Sequence, residues 1–177
     1  MTTAIDVLVD GFDRVRDAVH GAVRALNEEQ LTHRVDPDAN TIAWLAWHLT
    51  RIQDDHIAEV AGTDQVWLSG QWQQRFELPF HRYATGYGHS SQEVAAVRTP
   101  ARLLLDYYDA VHERTLEYVR GLADEELSRV VDERWNPPVT LVVRLVSVIS
   151  DDLQHAGQAA FVRGVLERQS GKTLRRG

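Results

Sequence analysis

Two ionisable side chains interrupt the apolar stripe of the longest helical pattern in this 177-residue chain. The stripe runs Leu141, Leu145, Val148, Asp152, His155, Ala159, Val162 and Leu166, so a carboxylate and an imidazole fall on a face that otherwise belongs in a core. Asp151 lies next door. At about 100° and 1.5 Å per residue, Asp151 and His155 point within about 40° of one another and sit about 6 Å apart along the axis, a spacing that can chelate one ion. An earlier segment carries further candidates. His48 shares a row with Trp44 and Ile52, Asp55 returns to within about 20° of it two turns later, and His56 lies farther round. Imidazole and carboxylate groups from two facing helices suit a borderline divalent ion such as zinc or nickel. Three protein ligands leave one position open for water or substrate, the mark of a catalytic site.

Other chemistries are excluded or unsupported. The chain has no cysteine, which removes a disulfide framework, a thiolate zinc site and a built-in nucleophilic thiol, and fits a reducing compartment. Neither Ser69-Gly70 nor Ser90-Ser91 has the strand-to-helix frame of a nucleophile elbow. Thr85-Gly86-Tyr87-Gly88 lacks the following Lys-Ser/Thr of a phosphate loop. Nineteen basic residues stand against twenty-six acidic ones, for a net charge of −7, and the basic cluster is a short tail of Lys172, Arg175 and Arg176. Nucleic acid is therefore not an expected partner. Asp6 and Asp10 within the first twelve residues argue against a signal peptide. The most apolar stretch, Val139 to Ile149, is broken by Arg144 and too short to span a bilayer. The expected location is cytoplasmic, with no membrane partner.

The elements that must position these groups read as all-α. One helix runs from about Thr3 to Leu26, with Ile5, Leu8, Val9, Phe12, Val15, Val19, Val23 and Leu26 at three- and four-residue intervals, and stops near Asn27. A second begins after Asp36-Pro37-Asp38-Ala39-Asn40, capped by Asn40 or Thr41, and ends at Gly62. The third opens after Pro100 and closes at Gly121. A short helix is expected over Asp124 to Val131, then a non-helical Asn136-Pro137-Pro138 turn, then a last long helix from about Thr140 to Arg168. Amphipathic helices of this length cover one another's stripes in a four-helix bundle, here expected as a single domain over 1–177.

Between the second and third helices lies a long excursion, 62–99, holding Trp67, Trp72, Phe76, Phe80, Tyr83 and Tyr87. Loops this long in a compact domain are functional or disordered, and six aromatics argue against disorder. The excursion is expected either to pack as a lid over one end of the bundle or, the preferred reading, to wall a substrate pocket. His89 could reach a pocket from it. His20, His33, His81, His89 and His112 otherwise read as solvated surface.

The segments Trp44-Leu-Ala-Trp-His48, Asp54-Asp55-His56 and Asp151-Asp-Leu-Gln-His155-Ala-Gly157-Gln158 resemble the DinB-like metalloprotein superfamily, including its mycothiol-dependent maleylpyruvate isomerase and bacillithiol-transferase branches. Thr85-Gly-Tyr-Gly-His89 and the run Asp132 to Thr140 are similar to an actinobacterial subgroup, so the resemblance covers nearly the whole chain. It implies a DinB-like four-helix bundle with a divalent metal held by His48, Asp151 and His155. The family's middle ligand is often His or Glu; Asp151 stands there in this chain, with Asp152 as the alternative. Trp44, Asp55, His56, Asp152 and Gln158 are then candidates for groups behind the ligands or in the substrate pocket.

The resemblance further implies a thiol-dependent, mycothiol-type S-transferase or isomerase acting on a small electrophile, with zinc or nickel as the metal and a homodimer as a possible assembly. A dication deprotonates a coordinated thiol, so a chain without cysteine can still run thiol chemistry on a thiol that arrives from outside. Two alternatives stand beside this reading. One is a non-enzymatic metal-binding bundle in a stress response, with the aromatic excursion as a dimer interface. The other is a hydrolase with metal-bound hydroxide and Asp55 or His56 as base.

Overall fold

The computed structural model describes residues 2–169 and 171; the basic tail of Lys172, Arg175 and Arg176 lies outside the described residues. Four long helices form the frame: α1 (Ala4–Val23), α3 (Ile42–Ala61), α7 (Ala101–Arg120) and α8 (Leu141–Gln169). Between them come the short helices α2 (Glu28–Leu31), α4 (Val66–Ser69), α5 (Trp72–Phe76) and α6 (Ser91–Ala96). Helices α1 and α3 each pack against both α7 and α8, which closes a ring of four. The fold is the expected all-α bundle.

Local chemistry sets the helix ends. Thr3 caps α1 by accepting from the Asp6 amide while the Asp6 carboxylate accepts from the Thr3 amide, a reciprocal capping box. The helix stops at Val23 rather than Leu26, because Ala25 takes a left-handed φ of 63° and Asn27 caps the separate helix α2. Thr41 caps α3, and Gly62, with φ 65°, ends it as a left-handed C-cap. Pro100 and Gly121 bracket α7 as expected.

The connection into α8 differs from expectation. Asp124–Ser128 is a short 3-10 turn, and Val131 lies in a strand: β1 (Val130–Asp132) pairs antiparallel with β2 (Val139–Thr140). The β-branched residues prefer this extended pairing, and the Pro137-Pro138 segment that cannot be helical fills the hairpin between them. The amide of Leu141 donates to the Arg129 carbonyl, which ties the start of α8 to the hairpin.

Trp67, Trp72 and Phe76 of the excursion are buried and surround the Tyr107 ring at centroid distances of 5.1, 5.4 and 5.7 Å. They belong to the main apolar cluster, so they are not available as a dimer interface. Two side chains of α3 hold the excursion down. The Asp54 carboxylate accepts from the amides of Val66 and Trp67 and from the Tyr107 hydroxyl, each at 2.8 Å. Arg51, fully buried, donates to the Ala84 carbonyl and to Gln65. No helix among the described residues is long and apolar enough to cross a membrane.

Candidate metal centre

His48 on α3 and Asp151 and His155 on α8 converge where the two helices face each other. Each offers one ligand atom, and those atoms lie within 4.8 Å of one another; among the described residues no other group of three or more such side chains does so. Donors on a tetrahedral ion with bonds of about 2.1 Å are roughly 3.4 Å apart, so small side-chain rotations close the set. Asp151 Oδ1 is 3.7 Å from His155 Nε2, and the rings of His48 and His155 meet edge to face at 4.9 Å. Asp151 Oδ2 is buried without a hydrogen-bond partner. Two imidazoles and a carboxylate oxygen without a hydrogen-bond partner are a donor set that fits a divalent ion.

Both imidazoles are oriented from behind. Nδ1 of His48 lies 2.6 Å from the Thr85 carbonyl oxygen, and Nδ1 of His155 lies 3.2 Å from Gln158 Oε1. These oxygens only accept, so each Nδ1 carries the proton and donates, leaving both Nε2 atoms as lone-pair donors. Trp44 stacks on the His48 ring at 4.5 Å. Burial lowers the His48 pKa, with the His155 charge adding to the effect and the Thr85 carbonyl and Asp151 opposing it. A neutral imidazole is the form a metal binds.

The approach of Thr85 requires glycine at the next position. Gly86 has φ 98°, and a Cβ there would stand 2.7 Å from His48 Nδ1 and 3.0 Å from the Trp47 ring. The excursion therefore has two parts: an apolar half that joins the core, and a Thr85-Gly86 turn laid against a candidate ligand. His89 follows this turn but does not line the site. It stacks on Trp47, meets Phe80 at a tilt and accepts from Trp44 Nε1.

A cavity of about 280 Å³ opens beside the cluster, lined by His48, Ile52, His56, Tyr87, Ser147, Val148 and Asp151. Tyr87, 91% exposed, stands at its rim. His56 Nδ1 is 3.0 Å from Nη1 of Arg144, a buried arginine that also donates to Glu59 and Asp132. Burial lowers the His56 pKa, and the Arg144 charge adds to it against Asp55, Glu59 and Asp151.

The remaining sequence candidates fall elsewhere. Asp55 accepts from Gln65 and lines a separate cleft with Asp64 and Arg82, because the cavity follows the His48-Ile52-His56 row and Asp55 lies off the other side of it. Asp152 is turned into the bundle, fully buried, with neither carboxylate oxygen partnered. Burial, and then the Asp151 charge, push its pKa well above the usual carboxylate range. His112, expected at the surface, is buried on α7 with Nε2 3.1 Å from Asp13 on α1. His20 is half-buried and pairs with Asp109.

Sequence reasoning missed the Arg144 contact with His56 and the Thr85 carbonyl. The first left a signal, a lone arginine in the most apolar stretch of the chain. The second left none, since a backbone carbonyl has no residue type.

Bundle and cluster together define the class: a DinB-like helical protein with a candidate His-Asp-His centre between its second and last long helices. Residues 7–168 match the family model for mycothiol-S-transferase, and the chain belongs to that DinB-like family. The crystal structure of a conserved protein from Enterococcus faecalis has the same fold, with a TM-score of 0.85 and 30% identity over 92% of this chain and 96% of that one. No curated protein matches the chain.

Proposed function

We propose that the chain holds a divalent metal ion through His48, Asp151 and His155 and transfers a mycothiol-type thiol to a small electrophile. The observation that carries this is the convergence of three ligand atoms, with one carboxylate oxygen unpartnered, beside a cavity sized for a small molecule that His48 and Asp151 line. Membership of the mycothiol-S-transferase family supports the choice of thiol. Zinc or nickel is the ion the donor set favours. When bound, it supplies Lewis acidity that holds a thiol as thiolate at neutral pH.

The chain's own residues do the rest. Thr85 and Gln158 fix the proton of each imidazole on Nδ1, and Trp44 stacks on the His48 ring. Ile52 and Val148 give the cavity apolar surface for the electrophile. With no cysteine in the chain, no internal thiol competes with the co-substrate. The hydrolase alternative loses one of its two bases, since Asp55 faces another cleft.

The test is turnover of the zinc-loaded chain with mycothiol and an electrophile such as monobromobimane, followed by fluorescence. The proposal expects a saturable, enzyme-dependent rate that His155→Ala reduces to background. A wild-type rate equal to the uncatalysed reaction would contradict it.

A further inference from the structure

Arg144 departs from the surface role usual for arginine. It rises from the second turn of α8 into the bundle, where Nη1 donates to Glu59 at 2.5 Å and Nη2 to Asp132 at 3.3 Å. Asp132 is itself gripped by Arg134. The two carboxylates balance the guanidinium charge, and the second hydrogen of Nη1 faces His56 Nδ1 at 3.0 Å. A guanidinium has donors only and stays protonated, so His56 Nδ1 accepts. A proton on that nitrogen would set N–H against N–H.

The ring proton therefore sits on Nε2. No described residue takes it up, and the ring lies on the wall of the cavity that His48 and Asp151 also line. The other walls offer little to compete with it. Ile52 and Val148 are apolar, the Ser147 hydroxyl is spent on the Arg144 carbonyl, and Tyr87 stands in solvent at the rim.

We infer that His56 is a catalytic hydrogen-bond donor, set in its Nε2–H form by the positioning residue Arg144, and that it selects electrophiles whose reacting carbon passes its charge to oxygen. This rests on the thiol-transfer reading and names its substrate class. With an α,β-unsaturated ketone, the thiolate sulfur bonds to the β-carbon and the carbon–carbon π pair shifts, leaving an enolate with its charge on oxygen. His56 Nε2–H donates to that oxygen. The α-carbon then takes a proton from water, replacing the one the thiol released, and the product is a thioether with no net oxidation. An alkyl halide, whose charge leaves on halide, has no use for this donor.

Two measurements on the zinc-loaded full chain test the assignment. Nitrogen-15 NMR of the imidazoles at pH 7.5, with His56 assigned through His56→Phe, should show the Nε2–H tautomer. An Nδ1–H tautomer or an imidazolium would overturn it. With mycothiol as the thiol, His56→Phe should lower kcat for methyl vinyl ketone by about 100-fold, the scale of losing one oxyanion donor. Its kcat for benzyl chloride should fall at least about tenfold less, since an alkyl halide develops no oxyanion for the donor to meet. Equal losses on both electrophiles, or none on the ketone, would overturn the assignment while leaving thiol transfer in place. Turnover of monobromobimane but of neither electrophile here would overturn the assignment alone; turnover of none of the three would bring down thiol transfer and this assignment with it.

Discussion

The carbonyl oxygen of Thr85 lies 2.6 Å from Nδ1 of His48, and this single contact joins the excursion between α3 and α7 to the candidate metal centre. It selects the tautomer in which His48 presents Nε2 to its neighbours on α8. Gly86 makes the contact possible, because any Cβ at that position would meet the same nitrogen at 2.7 Å. Gly86→Ala should therefore weaken metal binding by about 10- to 100-fold, the range typical for groups that orient a ligand from behind. Strain at the positive φ should add about 1–3 kcal/mol of destabilisation. Competition with a chromophoric chelator reads the first effect, and urea denaturation the second; unchanged affinity would mean that the turn does not orient His48.

Gln158→Leu tests the matching contact on the other imidazole. Removing the acceptor frees His155 to take either tautomer, and zinc affinity should fall about 10-fold with helical content unchanged by circular dichroism. An affinity equal to wild type would show that Gln158 has no part in setting the ring.

Asp54 is expected to matter for stability rather than chemistry. It accepts three hydrogen bonds from the excursion and from α7 beside the fully buried Arg51. Asp54→Ala leaves that arginine and two amides without their acceptor, so the loss should be about 3–5 kcal/mol in urea denaturation. Trp67 should become more accessible to acrylamide quenching. A loss under about 1 kcal/mol, the scale of an exposed ion pair, would contradict the described lock.

The pH dependence of stability follows from the buried histidines. Burial lowers the His112 pKa in the folded chain, more than the facing Asp13 restores it, with Arg16 adding to the lowering and Asp109 opposing it. His48 and His56 are shifted the same way. A group with a depressed folded pKa binds its proton more readily when unfolded. Its full stability is thus present above the unfolded value of about 6.5 and is lost as pH falls through the folded pKa. Asp152, with its raised pKa, acts in the opposite sense, so the test is a difference: in the metal-free protein the urea midpoint at pH 7.5 minus that at pH 5.5 should be smaller in His112→Leu than in the wild type. A difference that stays the same would remove His112 from the account.

Much of the frame was legible because the signals are local. The spacing of Leu8, Phe12, Val15 and Val19, the Thr41 cap and the Gly62 stop each act within a turn or two of helix. The same holds for Asp151 and His155, whose offset is fixed by helical geometry alone. Long-range partners were not legible in this way. The turn α4 is held by Asp54 and Arg51 from α3 and α5 packs on Tyr107 of α7, so their own residues carried no clear period. His112 reads as surface on its own helix and is buried only because α1 packs over it. Arg144 and His56 are 88 positions apart, and only the meeting of α3 with α8 brings them together.

Metal content of the purified chain and its variants tests the central claim most directly. Elemental analysis should find about one divalent ion per chain in the wild type, as three protein ligands and an open position require. The ion should be lost in His48→Ala, Asp151→Ala and His155→Ala. Asp152→Ala should keep it, because Asp152 points into the bundle and lies outside the cluster. A wild type without a stoichiometric ion, or a content that survives His48→Ala and His155→Ala, would contradict the account.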